Sequence, residues 1–279
     1  MNSTTYEIIA ELLRARSGLE LGADKQYLFE SRLTPLLREN QIPNLDALAN
    51  RLCKPSAENL ISRVVELMTT NETQFFRDRS PFIFLRSALL ELHAARPKNA
   101  KIRIWSAATA SGQEAYSIAM TIAEMPELKD CEIEILGTDI SSAQIARAQE
   151  GLYSQFEIQR GLPMQMLAKY FRKEQTGWRV IEPLRKMVEF RRWNLLEDLK
   201  PLGLFDIVFC RNVLLYFAPK TKQQVLEAIA RQMAPDGVLF LGGSETVIGI
   251  TDRFAVRKAE CGAYGLAPPA IGKKNGSAP

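Results

Sequence analysis

Histidine is almost missing from this chain: His93 is the only one in 279 residues, and it stands in a helical run beside Leu92 and Ala94. A histidine dyad, a Ser-His-Asp triad or a histidine-rich metal site would rest on that one ring, so these chemistries are set aside, and no metal site is expected. Cysteine is sparse as well. Four thiols (Cys53, Cys131, Cys210, Cys261) have no paired spacing, which speaks against a zinc site or a redox pair and fits reduced thiols in a cytosol. No apolar run approaches the roughly 20 residues that span a bilayer. The opening MNSTTYEIIAELLRARSG carries Glu7 and Glu11 in an amphipathic pattern, unlike a signal peptide. A cytoplasmic protein without membrane insertion is expected. The net charge of +4 is too weak to imply nucleic acid and is compatible with an acidic protein partner.

What is present is the composition of a globular protein, with 46% hydrophobic and 24% charged residues. The length allows one large domain, or one medium and one small. About the first 70 residues read as helix, with apolar residues at three-to-four spacing in Ile8 to Leu13, Tyr27 to Leu37, Leu45 to Leu52 and Leu60 to Met68. Turn signals separate them, Asn44 and Ser56 are read as N-caps, and Pro35 as a kink or early stop. A bundle of about four helices is expected.

From Lys101 the pattern changes. Lys101 to Ala107, Glu132 to Gly137, Met187 to Trp193, Phe205 to Cys210 and Val238 to Gly242 read as strands. Helical runs alternate with them at Gly112 to Met125, Ser142 to Glu150 and Thr221 to Met233. This alternation indicates a doubly wound parallel sheet. Pro235-Asp236-Gly237 is read as the turn into the last of these strands. Phe254 to Lys258 and Ala263 to Leu266 resemble a closing antiparallel pair. About 36 residues between Glu150 and Met187 are too many for an ordinary connection; a helix at Pro163 to Phe171 and the turn Glu174–Gly177 mark them as a small β-rich insert.

In an open α/β sheet, ligands bind beyond the carboxyl ends of the strands. The first strand ends in a small-residue loop with Gly112 as its only glycine. Without the G-x-G-x-x-G spacing a pyrophosphate cradle is not expected, and Glu114 in the next helical turn suits a cationic group. After the second strand, Asp139 can take both hydroxyls of a ribose, as in NAD-binding and S-adenosylmethionine-binding folds alike; an N-cap is the plainer alternative. Asn194 and Leu195 can clasp an adenine, or form an ordinary turn. Arg211 and Asn212, polar residues at the end of a central strand, are hard to justify as core. Asn71-Glu-Thr-Gln-Phe-Phe-Arg-Asp78 places an amide, a hydroxyl, two aromatics and an arginine on a connector between helical runs. Its polar groups can hold a charged ligand, and its rings can cover one.

In this order, these pieces resemble the CheR family of chemotaxis receptor methyltransferases. The resemblance covers nearly the whole chain: the helical N-terminal part, Asn71–Asp78, the loop within Ser106–Ser117, Thr138-Asp139, Asn194-Leu195-Leu196-Glu197, Phe205 through Val213 with Tyr216-Phe217, and Pro235-Asp-Gly237 before Gly243-Ser-Glu245. It implies an all-α N-terminal domain (1–70), a linker contributing to the cofactor site (71–95) and a Rossmann-like class I methyltransferase domain (96–266) with its β insert at about 152–186. Residues 267–279 are expected to be a disordered tail.

The resemblance further implies transfer of a methyl group from S-adenosylmethionine to glutamate side chains of the chemoreceptor cytoplasmic coiled coil, with S-adenosylhomocysteine as product. Asn71, Thr73 and Arg77 would contact the cofactor from the linker. Glu114 would face its amino acid part, Asp139 its ribose, and Asn194 and Leu195 its adenine, over a floor of Arg211 and Asn212. Arg77 and Tyr216 would lie nearest the methyl, and Phe75 and Phe76 would exclude water, with core packing the plainer role for at least one of these two rings. The second helix, with Lys25, Arg32 and Arg38, offers a basic face to acidic receptor helices. Some family members bind a receptor pentapeptide tether on the insert; here the turn Glu174–Gly177 is short and without their extra glycine, so docking without a tether is expected. A monomer suffices for this chemistry. The alternative from another class is a non-catalytic receptor-binding or cofactor-sensing protein on the same fold.

Overall fold

The computed structural model describes residues 3–97 and 100–268; from residue 269 onward the expected tail lies outside the described residues. Four helices open the chain: α1 (Ser3–Ser17), α2 (Tyr27–Glu39), α3 (Leu45–Leu52) and α4 (Glu58–Met68). Each buries the stripe its apolar spacing marks, and Leu13, Leu33, Leu48 and Val64 meet in one core. Asn44 caps α3, its side chain accepting the Ala47 N–H at 2.8 Å. Ser56 does not cap α4. The Ala57 N–H donates to Lys54 C=O at 3.1 Å in a turn, which puts Ala57 at the cap position. Pro35 does not end α2, which runs on to Glu39. The proline withholds one donor from the Ser31 carbonyl, and both residues lie on the exposed face, where an unpaired carbonyl is least costly.

A connector leads into α5 (Ser80–Ala95). The alternating part then runs β1 (Ile102–Ala107), α6 (Gln113–Ala123), β2 (Ile133–Asp139), α7 (Ser142–Glu150), β3 (Leu152–Tyr153), α8 (Gln155–Gln159), α9 (Met164–Tyr170), β4 (Phe171–Lys173), β5 (Trp178–Val180), α10 (Glu182–Arg185), β6 (Val188–Arg192), β7 (Phe205–Cys210), α11 (Pro219–Arg231), β8 (Met233–Phe240), β9 (Phe254–Lys258) and β10 (Ala263–Leu266). The main sheet has the order β6-β2-β1-β7-β8-β10-β9. Strands β6, β2, β1, β7 and β8 are parallel, and β10 pairs antiparallel with β8 and β9. The chain goes outward from β1 through β2 to β6, then returns to β1's other side with β7, so strand order reverses there. The insert is a separate three-stranded antiparallel sheet, β3-β5-β4.

Both faces of the main sheet are covered, which is why β7 reads as an unbroken apolar run and is buried at every position. Ile104, Ile207 and Phe209 point to one face, toward α5 and α6. Trp105, Val208 and Leu239 point to the other, toward α11. Phe209 stacks on Phe240 at 4.4 Å and on Phe82 of α5 at 5.8 Å. The expected turn Pro235-Asp236-Gly237 lies inside β8 instead: pairing with β7 jumps from Phe205–Met233 to Ile207–Val238, and the surplus residues bulge out. The turn-forming residues are thus absorbed by a bulge, and the strand starts earlier than its apolar run.

Phe209→Ala is expected to destabilise the protein by about 3–5 kcal/mol, the range for deleting a buried aromatic side chain. Urea unfolding followed by circular dichroism checks this.

Candidate active site

The carboxyl ends of β1, β2, β6 and β7 open onto a cleft of about 940 Å³, counting its open mouth, which is roofed by the connector between α4 and α5 and by the end of α1. Asn71, Thr73, Arg77, Glu114, Asp139, Asn194, Leu195, Arg211, Asn212 and Tyr216 all line this one space. Phe75 and Phe76 do not. Phe75 is fully buried against Tyr153 and Phe171 of the insert, and Phe76 packs on Phe82. The connector therefore presents its polar side chains to the cleft and turns its rings into the core, because two adjacent rings gain more from burial than from covering a polar ligand.

That division requires unusual backbone. Phe76, Asp78 and Arg79 have φ of 48°, 66° and 50°, and the strand-end residues Ala108, Ala110 and Asn212 have 57°, 49° and 59°. Among the described residues only Gln41 is another non-glycine with positive φ. Left-handed backbone costs an L-residue roughly 1–2 kcal/mol, and its concentration around one cleft marks a site held in shape by its surroundings. Asp139 is part of that support. Its carboxylate accepts the Ala110 N–H and the Ser141 N–H, each at 2.9 Å, and so ties the β1 loop to the end of β2. Burial raises its pKa, while these backbone donors oppose the rise. Asp139 is not the cap of α7; Ser141 is, accepting the Gln144 N–H.

The charged centre of the cleft is Arg211, whose side chain is only 1% exposed. Its guanidinium donates to Glu114 at 3.0 Å, to Asp78 at 2.6 Å and to Arg77 C=O at 3.0 Å. Strand β7, the start of α6 and the connector are thereby joined. Ser106 donates to the other Glu114 oxygen at 2.8 Å. Burial pushes the Glu114 pKa up, and the Arg211 charge works against that shift. Arg77 itself makes a single long bond, Nη1 to Glu72 C=O at 3.3 Å.

Sequence spacing did not reveal the contribution of the helical region. Ser17 and Leu19 line the cleft. Leu19 forms an antiparallel bridge with Phe217, the Glu20 N–H donates to Tyr216 C=O at 2.8 Å, and Asn194 Nδ2 donates to Arg16 C=O at 2.7 Å. The available signal was Gly18, read as a plain turn; at φ 75°, its Cβ would meet Thr221 and Phe217 at 3.0 and 3.2 Å, so glycine permits the close approach. Trp193 also lines the cleft and went unnoticed. Arg32, expected on an open basic face, instead donates to Met68 C=O and Thr69 C=O at the end of α4; Lys25 and Arg38 remain exposed. His93 lies away from the cleft, 3.0 Å from the Cys131 thiol.

A doubly wound sheet, a cleft at its switch point and an acidic residue ending β2 together define a Rossmann-like nucleoside-binding domain, here behind an all-α region. The family model for the CheR methyltransferase all-alpha domain matches residues 4–69, and that for the CheR methyltransferase SAM binding domain matches residues 71–263. Chemotaxis protein methyltransferase 1 of Vibrio cholerae is 38% identical over 261 residues, spanning 92% of this chain and 94% of that protein. Chemotaxis protein methyltransferase Cher2 of Pseudomonas putida is 39% identical over 254 residues, spanning 89% and 92%. The chemotaxis protein methyltransferase of Borreliella burgdorferi is 35% identical over 239 residues, spanning 83% and 84%. The chain belongs to the CheR family of methyltransferases, and its cofactor is S-adenosylmethionine. The cleft fits that molecule: it offers carboxylates and a guanidinium to an amino acid moiety, and two buried donors of its lining residues, Trp193 Nε1 and Arg211 Nε, have no protein partner.

Arg211→Met is expected to cost about 3–5 kcal/mol at pH 8, because it orphans the buried Glu114 carboxylate. Glu114 already holds its proton more tightly in the folded than in the unfolded chain, and losing Arg211 strengthens that hold. Folding then favours the protonated form, so the deficit shrinks as pH falls toward 5. Urea midpoints of both proteins across this range check the sign.

Proposed function

We propose that this protein transfers the methyl group of S-adenosylmethionine to glutamate side chains on the cytoplasmic coiled coil of chemoreceptors, forming glutamate methyl esters and S-adenosylhomocysteine for chemotactic adaptation. The observation that carries the reading is the make-up of the cleft: arginine, carboxylates, amides and a tyrosine converge there, and no histidine or cysteine lines it. Glutamate is ionised at neutral pH, with a reference pKa of about 4.3, so its carboxylate is a ready nucleophile and needs no general base. The bound cofactor supplies an electrophilic methyl group on a sulfonium.

The chain's own work is to hold, orient and dry the reacting groups. Asp139 takes the ribose hydroxyls. Glu114 receives the ammonium of the amino acid part and Arg211 stands beside its carboxylate. Asn194 and Leu195 frame the adenine, with Asn71, Thr73 and Asn212 completing the enclosure. Arg77, with most of its five donors uncommitted, docks the incoming glutamate carboxylate through its fork. Tyr216, whose own C=O accepts the Glu20 N–H beyond the α1 end, orients that carboxylate. The protein acts as a cytoplasmic monomer, and its exposed Lys25 and Arg38 meet the acidic receptor helices. The names of the relatives, their coverage of this chain and the lining of the cleft support this reading.

Arg77→Ala and Asp139→Ala are each expected to lower methylation of receptor cytoplasmic fragments more than about tenfold while leaving the circular dichroism unchanged. Labelled methyl should be released as methanol in base, the mark of a carboxyl ester; near-normal activity in both variants would sink the site assignment, and no transfer at all would leave the non-catalytic alternative.

Docking is proposed to be independent of a receptor tether. The β4–β5 turn is closed by the Glu174 N–H donating to Gly177 C=O at 2.8 Å, and Arg179 pairs with Glu174 across it. Calorimetric titration of a receptor-tail pentapeptide should show no binding; micromolar affinity would refute this part.

A further inference from the structure

Three elements converge on a residue outside the cleft. The Oε2 atom of Glu245 accepts the Asn212 N–H and the Gly242 N–H, each at 2.7 Å, and Oε1 accepts the Leu215 N–H at 3.3 Å. The Glu245 N–H in turn donates to Gly242 C=O at 2.9 Å, closing a tight turn just after β8. One carboxylate thus collects backbone donors from the ends of two adjacent parallel strands. The residues it fixes are those that build the floor and one wall of the cleft, since Arg211, Asn212 and Tyr216 all stand on the segment between Asn212 and Leu215 or next to it.

The segment needs such a clamp. Asn212 has φ of 59°, a left-handed conformation that asparagine tolerates better than most side chains but still at some cost in free energy. A charge-assisted bond to its N–H is about twice as strong as a neutral one and offsets that strain. Gly242 is fitted to the same contact: a Cβ there would stand 2.7 Å from both Asn212 Nδ2 and Glu245 Oε2, inside the distance that real Cβ atoms show. Both the glycine and the carboxylate therefore belong to one device.

We propose that Glu245 is a positioning residue for the methyl-transfer site: by gathering the N–H groups of Asn212, Leu215 and Gly242, it sets the left-handed turn after β7 and so places Arg211, Asn212 and Tyr216. It does not touch the ligand itself. The proposal rests on the assignment of these three residues to the cofactor and substrate site.

Reach and charge make different demands, and two substitutions separate them. Glu245→Gln keeps the reach and one carbonyl oxygen able to accept the two short bonds. Glu245→Asp keeps the charge but is one methylene short of all three donors. Binding of S-adenosylhomocysteine by calorimetry is expected to weaken by at least about tenfold in E245D, the scale of a sub-ångström misplacement of site groups. In E245Q it should weaken by less than in E245D, about threefold to fivefold, since both short bonds persist without their charge assistance. Both variants are compared where circular dichroism shows them folded. E245D binding as tightly as the unaltered protein, or E245Q binding more weakly than E245D, would overturn the proposal. Asp139→Ala is titrated alongside: if it too binds normally, the site assignment fails first, whereas weakened D139A beside unchanged E245D refutes only the role of Glu245.

Discussion

A guanidinium taken out of water has to be surrounded by acceptors, because the desolvation penalty for an ion of that size is several kcal/mol even after relaxation. Arg211 is the one lysine or arginine among the described residues whose side chain is buried, and it stands at the end of the central strand β7. Its acceptors come from two other places, Glu114 on α6 and Asp78 with the Arg77 carbonyl on the connector. None of the three elements can occupy another position without exposing or orphaning a charge. The cleft owes its shape to this requirement, since the connector is pulled over the strand ends at the point where the guanidinium needs it.

The same economy explains where the strain lies. The sheet behind the cleft is sealed on both faces by apolar cores, whereas the left-handed residues cluster at its carboxyl edge and in the connector. Bonds from Asp139 to the Ala110 N–H, from Ser117 to the Phe76 N–H at 3.0 Å, and from Glu245 to the Asn212 N–H hold three of those residues individually. A well-packed, stable scaffold can carry several unfavourable dihedrals at its rim, and the polar groups they expose are what a methyltransferase cleft needs.

The sequence made the fold legible where burial imposes a period. Strand β7 and helix α7 begin and end at the residues their patterns mark, because an unbroken apolar run needs two covered faces and Ser141 caps the helix locally. Glu114, Asp139, Asn194, Leu195, Arg211 and Asn212, read from the strand ends, line one cleft, and so do Asn71, Thr73 and Arg77 of the connector and Tyr216, which the family resemblance added. What escaped was what depends on partners distant in sequence. Core packing is the plainer reading of one of the rings Phe75 and Phe76, but nothing near them names Tyr153, Phe171 and Phe82 as the partners. Nothing near Arg32 announces the carbonyls of α4. The Pro-Asp-Gly of β8 has turn chemistry, and only pairing with β7 turns it into a bulge.

The bond set also gives the helical region a stake in the chemistry. Leu19 and Glu20 pair with Phe217 and Tyr216 as a short piece of β-ladder, Arg16 takes the Asn194 amide, and Ser142 at the start of α7 donates to Glu66 of α4 at 2.7 Å. These contacts attach the ends of α1 and α4 to three separate strand-end loops. The connector that carries Asn71, Thr73 and Arg77 begins directly after α4, where Arg32 holds its first carbonyls. A shift of the bundle relative to the sheet would therefore move one wall and the roof of the cleft together, while Arg211 resists through Asp78. A displacement of the bundle acts on the same set of bonds that holds the connector, with Arg77, over the cleft.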